Sequence, residues 1–413
     1  MCCLLVDYER IGKMKKPWNG GVLKNAQTQE AKLIRKIKSA HASGDKKRAR
    51  HFTKTYLNSW AAKYVAVVKA YKNMPRHYKT AGMDLGVIAK RLDVFQGTDE
   101  PVTLHLREKA SGNGHRQVMD FGIENRALQY LVLRVLEART VLSPMQFGTK
   151  RGVKAAAAEV LKNLNEGFVH TTEIDVSNCF PSVGVKALPD ILPIPTKVID
   201  HSLSGQSLNI TTGNFIPWVG LDDKPSVEEY ASGLYADIIK EGQQGLPQGS
   251  ATSPIIVEML FAPVFLTMPE SVRLVGYMDN FLVMGKSEND VASMKINLEA
   301  FLLGHPAGPF VPRVESTSKP SQKFDFLGYE FFLSGSTYGA RPSGGNLSKF
   351  CHKFDRGLDQ ISGKKHSHTV RKRKAKELRR YVRSWTSAFA PWKKSVAFRT
   401  QRLGDIKHAE SGL

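Results

Sequence analysis

The sequence predicts an α+β fold in which helical segments near both ends flank a central region of strands and hairpins. Three observations support this class. Apolar residues recur at three- and four-residue spacing in residues 28–72 and again beyond residue 345, which predicts helices. β-branched or alternating runs such as "VHTTEIDV" and "KFDFLGYEFF" lie between them, which predicts strands. Gly-rich and polar breaks inside the central region predict hairpin turns.

The N-terminal region is predicted to form two helices around the turn sequence "SGDKK". One face of the second helix carries large apolar residues: Tyr56, Trp60, Tyr64 and Val67. Their spacing allows this face to pack against a neighbouring element. Pro75 is expected to end the helix, since proline stops a helix, and "KTAGMD" follows as a turn.

The central region is predicted to alternate strands with helices. Residues 101–118 form a hairpin around "SGNG", and residues 124–163 are helix-rich. The strand "VHTTEIDV" contains Asp175 at its end. The loop "QGLPQGSATSP" leads into the apolar helix "IIVEMLFAPVFL", and the hairpin "GYMDN" leads into a helix over 288–303. The alternating run "KFDFLGYEFF" is predicted to be one strand.

The C-terminal region is predicted to be helical and strongly basic. One helix face is apolar: Leu378, Tyr381, Val382, Trp385 and Phe389. This stripe indicates a packed helix and not a loose tail. The candidate nucleic-acid-binding residues of the region are Lys364, Lys365, Arg371, Lys372, Arg373 and Lys374. We expect them to bind nucleic acid through phosphate and shape contacts, with an ordinary solvated face as the alternative.

The overall charge favours a polyanionic partner. The chain has 60 Lys and Arg against 38 Asp and Glu, which gives a net charge of +22. Nucleic acid is the commonest such partner, because its phosphates attract a basic protein over a long range and in a salt-dependent way. A solvated basic surface, or one that lies on anionic lipid, is the alternative.

The composition argues against several other classes. The four cysteines form no CxxC or Cys/His zinc pattern and are too scattered for a disulfide framework: Cys2, Cys3, Cys179 and Cys351. No apolar stretch reaches the roughly 20 residues that a membrane-spanning helix needs. The opening "MCCLLV" is too short for a signal-peptide core. We therefore expect a soluble, cytoplasmic protein without a membrane partner.

Two aspartates are the strongest candidates for catalytic chemistry. Asp175 ends a predicted strand, and Asp279 lies at the tip of a predicted hairpin. Two carboxylates on adjacent strand ends would form a site for hard divalent cations, which prefer oxygen ligands. Two such ions can promote in-line phosphoryl transfer. The alternative is that each is an ordinary aspartate at a strand end or turn, which is a common position.

Several motifs resemble those of the reverse transcriptases. "TEIDVSNCFPS" is similar to the family's first catalytic-aspartate motif, and "QGLPQGSATSPIIVEML" to its dNTP-pocket and template-grip motif. "YMDN" stands where the family has Tyr-x-Asp-Asp. "HLREKASGNGHRQVM" resembles the fingers hairpin, "SPMQFGTKRGVKAAA" the motif that follows it, and "FDFLGYEF" the strand that leads from palm to thumb. The resemblance covers residues 30–395.

The resemblance implies a right-hand polymerase fold with fingers, palm and an α-helical thumb. It divides the chain into an N-terminal helical extension (1–80), fingers with part of the palm (81–170), a palm with the catalytic site (171–335) and a basic thumb (336–413). It also implies an RNA-directed DNA polymerase that uses dNTPs and an RNA template and produces cDNA.

The resemblance further implies the metal ligands. Asp175 and Asp279 would hold two Mg²⁺ ions, with Mn²⁺ as an alternative metal, and the backbone carbonyl of Val176 would assist. Asn280 would occupy the neighbouring catalytic position, where the family has a second aspartate. An asparagine there offers an amide oxygen and no charge.

The residues implied to contact the incoming dNTP are Lys109, Arg116, Phe180, Gln248, Gly249 and Lys319. An ammonium and a guanidinium suit phosphate oxygens, so Lys109 and Arg116 fit a triphosphate clamp. The ring of Phe180, five residues after Asp175, would block a 2′-hydroxyl and so select deoxynucleotides. The alternatives are two exposed cations on a hairpin and a phenylalanine of the core.

The N-terminal stretch from "GDKKRARHF" to "KTAGMD" resembles the extension of group II intron reverse transcriptases. "ELRRYVRSWTSAF" resembles their thumb, with Ser384 where the intron enzymes have Gly. Without maturase, endonuclease, RNase H or integrase regions, we expect a standalone enzyme similar to the bacterial defence-associated, abortive-infection reverse transcriptases, with a structured non-coding RNA as its template. A retron or group II intron enzyme is the alternative.

Two departures from the family pattern leave rival functions open. Asn280 replaces an aspartate, and "QFGTKRG" lacks the usual aromatic-Arg arrangement. The chain could therefore be a catalytically inactive, RNA-binding derivative of a reverse transcriptase. An RNA-dependent RNA polymerase would share the palm. Phe180 argues against the RNA polymerase, and the presence of Asp175, Gln248 and Asp279 together argues against the inactive protein.

Overall fold

The chain divides into two units, each assembled from two separate segments of the sequence. A computed structural model describes residues 17–74, 79, 82–108, 115–212, 235–266, 268–363 and 367–411. The first unit comprises Met1–Val141 and Phe180–Ile256, and the second comprises Leu142–Cys179 and Val257–Leu413.

Helices and strands follow one another along the whole chain. The helices are α1 (Gly20–Ala42), α2 (Lys46–Asn58), α3 (Trp60–Asn73), α4 (Leu85–Arg91), α5 (Ile123–Arg139), α6 (Gly152–Asn165), α7 (Leu188–Ile191), α8 (Thr196–Ser202), α9 (Tyr235–Gly242), α10 (Ser253–Phe261), α11 (Glu288–Leu303), α12 (Gly344–Ser362), α13 (His368–Ala388) and α14 (Ser395–Ser411). The strands are β1 (Val102–Glu108), β2 (His115–Asp120), β3 (His170–Ser177), β4 (Ile210–Thr212), β5 (Val272–Tyr277), β6 (Asn280–Gly285), β7 (Val311–Ser318), β8 (Phe324–Phe326), β9 (Tyr329–Ser334) and β10 (Thr337–Pro342). The predicted α+β class is confirmed.

In the first unit, the prediction of one helix through residue 59 is wrong. Ser59 separates α2 from α3, with an extended backbone (ψ 122°) and a hydroxyl that accepts a hydrogen bond from the Ala62 N–H at 3.5 Å. A serine at this position satisfies an N–H that the first turn of α3 would otherwise leave unpaired. Tyr64 and Val67 are buried as predicted, whereas Trp60, at the new helix start, is 40% exposed.

The first unit also contains a three-stranded sheet in the order β2-β1-β4. Strands β1 and β2 are antiparallel, so the two arms of the hairpin predicted over 101–118 are confirmed, and β4 adds in parallel to β1. The predicted "SGNG" loop lies outside the described residues. Helix α5 packs against α1 and α3. This arrangement places one apolar core between the helices and a second on the sheet, where Val102, Leu104 and Phe121 are almost fully buried.

The second unit is built on a four-stranded antiparallel sheet in the order β5-β6-β3-β7. Helix α11 contacts all four of these strands. Its start is fixed by a capping box, in which Ser287 and Asp290 each accept a backbone N–H from the other. The predicted helix over 288–303 is therefore confirmed, and this helix packs against the sheet.

The second sheet of this unit, in the order β10-β9-β8, corrects a prediction. "KFDFLGYEFF" is a hairpin and not one alternating strand. Leu327 and Gly328 both adopt a left-handed backbone conformation, with φ of 49° and 80°, and turn the chain between β8 and β9. A Cβ at residue 328 would lie 2.2 Å from the side-chain nitrogen of Asn346, so glycine is required there.

Helices α12, α13 and α14 pack around an apolar cluster that includes Phe350, Phe354, Val382 and Ile406. The stripe predicted on α13 is confirmed, since Val382 is fully buried and its other members are buried or partly buried. The hydroxyl of Tyr329 donates a hydrogen bond to the carbonyl of Ala388 and ties α13 to the second sheet. Among the helices that the structure describes, none is long and apolar enough to cross a membrane.

Candidate active site

The hairpin of β5 and β6 carries Asp279 at its tip. Tyr277 and Asn280 pair across the hairpin, which leaves Met278 and Asp279 as the two turn residues. Met278 adopts a left-handed conformation with φ of 56°, which is costly for a residue with a side chain and must be stabilised by its surroundings. Strand β6 is almost completely buried beyond the turn, with Phe281 and Leu282 at 0% exposure. This burial fixes the register that puts Asp279 at the tip.

Strand β3 brings Asp175 next to this tip. Asp175 pairs with Asn280 of β6, and the N–H of Val176 donates a hydrogen bond to the carbonyl of Asp279 at 3.1 Å. Asp175 and Asp279 therefore lie at neighbouring strand ends, within one unit. Their role as metal ligands, and that of the Val176 carbonyl, remains a prediction.

The strand pairing creates a polar row across the end of the sheet: Tyr277, Asn280, Asp175 and Arg313. Arg313 of β7 lies 3.5 Å from a carboxylate oxygen of Asp175 and also forms an ion pair with Glu315. Its side chain is 62% exposed, so the pair with Asp175 contributes little to stability. It does place a guanidinium directly beside a candidate metal ligand.

Arg313 was missed by the sequence analysis. Its place opposite Asp175 depends on the pairing of β3 with β7, whose register shifts at a bulge between Glu173 and Ile174. Neither the partner strand nor the bulge can be deduced from the local sequence. The predicted cation, Lys319, is exposed and lies just after β7. It is six residues beyond Arg313, which corresponds to about 20 Å along an extended strand. The role predicted for Lys319 remains a prediction.

Negative charge is concentrated at the end of β3 that lies next to the hairpin tip. Burial raises the pKa of the Cys179 thiol well above its usual range, and the nearby carboxylates of Asp279 and Asp175 raise it further. Burial also raises the pKa of Glu173 to about 7, against the hydrogen bond that the Ser316 hydroxyl donates to it at 3.3 Å. The carboxylates of Asp175 and Asp279 therefore both lie close enough to Cys179 to raise the pKa of its thiol. A divalent cation would be attracted to the same two carboxylates.

The residues present fit a magnesium site in which the protein supplies only a few of the ligands. Within the described part of the chain, no group of three or more His, Cys, Asp or Glu side chains could hold a metal ion. Mg²⁺ commonly uses one or two carboxylates and takes its remaining ligands from water and substrate phosphates. Asp175 and Asp279 supply two carboxylates, and Asn280 adds an uncharged oxygen. The arrangement therefore suits Mg²⁺ that arrives with a nucleotide.

In the first unit, Phe180 lies against the loop that precedes α10. Its side chain is half-buried, and its carbonyl accepts a hydrogen bond from the N–H of Leu246 at 2.9 Å. A Cβ on Gly245 (φ 57°) would lie 2.2 Å from that carbonyl oxygen, so only glycine permits this approach. These backbone contacts fix the position of Phe180 beside the loop that precedes α10.

Gln248 and Gly249 belong to the same loop and contact β2. The carbonyl of Gln248 accepts a hydrogen bond from the Met119 N–H at 2.8 Å. Gly249 has φ of 105°, and a Cβ there would lie 2.5 Å from the Met119 carbonyl oxygen. Arg116 is exposed on the same strand. The described part of the first unit thus contains four of the six residues predicted to contact dNTP: Arg116, Phe180, Gln248 and Gly249.

The remaining predicted residues lie elsewhere. Lys109, Lys364 and Lys365 lie outside the described residues. The other four predicted nucleic-acid-binding residues are on α13: Arg371, Lys372, Arg373 and Lys374. Lys372 and Arg373 are exposed, and the other two are half-buried. Arg373 is 4.0 Å from Glu377 of the next turn, an exposed pair that does not prevent phosphate contacts.

The family model described as "Reverse transcriptase (RNA-dependent DNA polymerase)" matches residues 108–331. This is more than half of the 413-residue chain, and the match includes Asp175, Gln248 and Asp279. The chain belongs to the reverse transcriptase family. The matched segment is an RNA-directed DNA polymerase domain, which is a nucleotidyltransferase domain, and the predicted reverse transcriptase fold is confirmed.

Solved structures also match the chain. They include telomerase from Candida tropicalis and telomerase from Candida albicans, each in complex with the TWJ fragment of telomeric RNA. The identity to each is 11%, and the TM-scores are 0.36 and 0.35. The alignments cover 76% and 77% of this chain, which spans 60% of the length of each matched chain. No curated protein sequence matches the chain.

Proposed function

We propose that the protein is an active reverse transcriptase that synthesises cDNA with two Mg²⁺ ions held by Asp175 and Asp279. The observation that carries the proposal is the strand register that puts these carboxylates at neighbouring strand ends, with the Val176 N–H bonded to the Asp279 carbonyl. When bound, the ions would supply the Lewis acidity for attack by a primer 3′-hydroxyl and for release of pyrophosphate.

The protein's own side chains then have distinct tasks. Asp175 and Asp279 bind the metal, and the Val176 carbonyl assists. Asn280 supplies an amide oxygen beside them without adding charge. Arg313 balances part of the charge of Asp175, and its exposed guanidinium suits phosphate oxygens.

The first unit is proposed to supply the nucleotide contacts. Gln248 and Gly249 are proposed to contact the sugar and base, and Arg116 with Lys109 the triphosphate. Lys319, which is not part of the first unit, is proposed as a further triphosphate contact. Phe180 selects the sugar. The support for these roles is the family match over residues 108–331 and the docking of the Gln248 loop onto the strand that carries Arg116.

Replacement of Phe180 by alanine should admit ribonucleotides while largely preserving dNTP use. The ring is half-buried and held by its backbone, so its removal should open space for a 2′-hydroxyl without moving the loop. The ratio of kcat/KM for dNTP to that for rNTP measures the effect, and we expect it to fall at least tenfold, or about 1.4 kcal/mol. Phe95→Ala, which removes another half-buried ring of the same unit, is the matched control. An unchanged ratio would show that Phe180 only packs.

RNA is the proposed template, and the charge distribution supports it. Residues 1–73 contain 17 Lys and Arg against 4 Asp and Glu, and residues 344–413 contain 18 against 5. Residues 74–343 contain 25 against 29. Along α1–α3, the only acidic residue within the helices is Glu30, which is buried and paired with Arg134. The excess positive charge therefore lies in residues 1–73 and 344–413, which suits contacts to RNA phosphates.

We also propose that the enzyme is cytoplasmic, of group II intron-like lineage, copies a structured non-coding RNA and acts in bacterial antiphage defence. The support is the resemblance to the defence-associated reverse transcriptases. Plaque counts on cells that express the wild type or the Asp279→Ala protein test the defence role. Equal counts would contradict it.

One observation favours a second candidate, the inactive RNA-binding protein: Asn280 stands where a second carboxylate would complete the family pattern. Primer extension by the purified protein, with dNTPs or with NTPs, separates the possibilities. Extension with dNTPs supports the proposal, extension with NTPs indicates an RNA polymerase, and no extension together with tight RNA binding indicates the inactive protein.

A further inference from the structure

A buried carboxylate, within a motif that resembles the family but with no role from that resemblance, contacts a segment next to the hairpin of β5 and β6. Glu258 of α10 is 1% exposed. A buried carboxylate is costly unless hydrogen-bond donors compensate it. Its oxygens accept hydrogen bonds from the N–H of Gly148 at 2.6 Å, the N–H of Thr149 at 3.0 Å and the Thr149 hydroxyl. All of these residues belong to the second unit.

The segment that Glu258 holds, residues 145–149, is joined to the catalytic hairpin. Gly276 of β5 donates its N–H to the carbonyl of Met145 at 2.9 Å and accepts the N–H of Phe147 at 2.9 Å. Gln146 pairs with Gly276 as an isolated parallel bridge, and its side-chain amide donates to the Glu258 carbonyl at 2.6 Å. The segment is therefore fixed to α10 on one side and to β5 on the other.

The same segment contacts the turn that carries Asp279. A Cβ on Gly148 would lie 2.7 Å from the Cγ of Met278 and 3.1 Å from its backbone nitrogen, as well as 2.8 Å from a Glu258 carboxylate oxygen. The backbone of Gly148 therefore lies between Glu258 and Met278, with no room there for a side chain. Met278 is the turn residue with the unfavourable left-handed φ of 56°, and Asp279 follows it.

We propose that Glu258 is a positioning residue for Asp279, a role that rests on the proposed two-metal activity. By binding two consecutive N–H groups, its carboxylate fixes the 145–149 segment, and Gly148 then holds Met278 in the conformation that directs Asp279 toward Asp175. Residues that orient a metal ligand typically change metal affinity or activity by about 10- to 100-fold when they are replaced. In this role Glu258 acts through its hydrogen bonds to Gly148 and Thr149, and not as a ligand of the metal.

The test compares Glu258→Gln with wild type. The amide keeps the shape of the side chain but turns an N–H₂ group toward donors, so it cannot accept all three hydrogen bonds. We expect Mn²⁺ binding, followed by the electron paramagnetic resonance signal of the free ion, to weaken about 10- to 100-fold. The single-turnover rate of nucleotide addition should fall by a similar factor at saturating dNTP, with little change in the dNTP concentration for half-maximal rate.

Two further variants separate positioning from general stabilisation. Thr149→Val removes one donor to Glu258 and should weaken Mn²⁺ binding in the same direction but by less. Glu330→Gln is the matched control, because Glu330 pairs with Arg341 in the sheet of β8, β9 and β10 of the same unit. It should leave Mn²⁺ binding unchanged.

The outcomes distinguish this inference from the proposed function. If Glu258→Gln and Thr149→Val bind Mn²⁺ as wild type does, with only the unfolding temperature lowered, Glu258 merely stabilises the fold and the positioning role is wrong. If the wild type binds Mn²⁺ through Asp279 but extends no primer, polymerase activity is wrong, and the Mn²⁺ comparison still decides the role of Glu258. A wild type that binds no Mn²⁺ contradicts both.

Discussion

Replacement of Asp175 or Asp279 by alanine should abolish nucleotide incorporation. Each variant removes one of the two carboxylates that the sheet brings together, and no third acidic or histidine ligand completes a cluster in the part of the chain that the structure describes. In the proposed mechanism, the metal ions would neutralise charge that develops in the transition state, a contribution of several kcal/mol. We expect the rate to fall by at least about a thousandfold, equivalent to about 4 kcal/mol.

The measurement is single-nucleotide primer extension under single-turnover conditions. RNA affinity and the unfolding temperature should stay near their wild-type values, because Asp175 and Asp279 are half-buried at the strand ends, outside the apolar core. Asp325→Ala, which removes an exposed aspartate from β8, is the matched control and should retain activity. An Asp175→Ala or Asp279→Ala protein that extends primers near the wild-type rate would overturn the proposed two-metal assignment.

The affinity for RNA should fall steeply as the salt concentration rises. The terminal regions carry the excess positive charge, and each phosphate contact releases counterions, so six to ten contacts would cost about 10³- to 10⁵-fold between 50 and 200 mM salt. Fluorescence anisotropy of a labelled RNA over this range gives the slope. We expect the slope to be shared by RNAs of unrelated sequence, because phosphate contacts carry no base information.

Charge-neutralising variants locate the contacts. Lys372→Gln with Arg373→Gln on α13 removes two exposed cations and should lower the salt slope by about two. Lys286→Gln, an exposed lysine between β6 and α11, is the control and should leave the slope unchanged. Binding that is insensitive to salt would contradict an RNA interface built on these regions.

Much of the fold could be predicted because local signals and burial agree. The helix over 288–303 has both apolar spacing and a capping box, and the hairpin around Asp279 has buried strands on either side of a polar break. Predictions failed where the conformation of a single residue ended a helix or a strand. Ser59 could continue a helix or cap one, and only tertiary packing chose the cap. Leu327 carries no local turn signal, yet it adopts a left-handed conformation before Gly328.

The candidate site was predictable where its residues lie inside motifs. Asp175 and Asp279 each end an apolar run and belong to stretches that resemble a known family, so their nearness followed from the resemblance. Arg313 lies outside these motifs, and Glu258 lies inside one, "QGLPQGSATSPIIVEML", but the resemblance gives it no role. Arg313 depends on a shifted strand register, and Glu258 looks like part of an apolar helix whose partner lies 110 residues earlier in the chain. The contacts of both residues join segments that are distant in the sequence.

Asn280 bears most directly on the central claim, that this protein is a working polymerase with two carboxylates at its metal site. The decisive measurement is dNTP incorporation by purified wild type and Asn280→Asp protein across a range of Mg²⁺ and Mn²⁺ concentrations. An amide oxygen can bind a metal ion but brings no charge. The account predicts that the wild type extends primers and that Asn280→Asp lowers the metal concentration needed for half-maximal rate. A wild type that is silent at every concentration of both metals, with synthesis restored in Asn280→Asp, would contradict it.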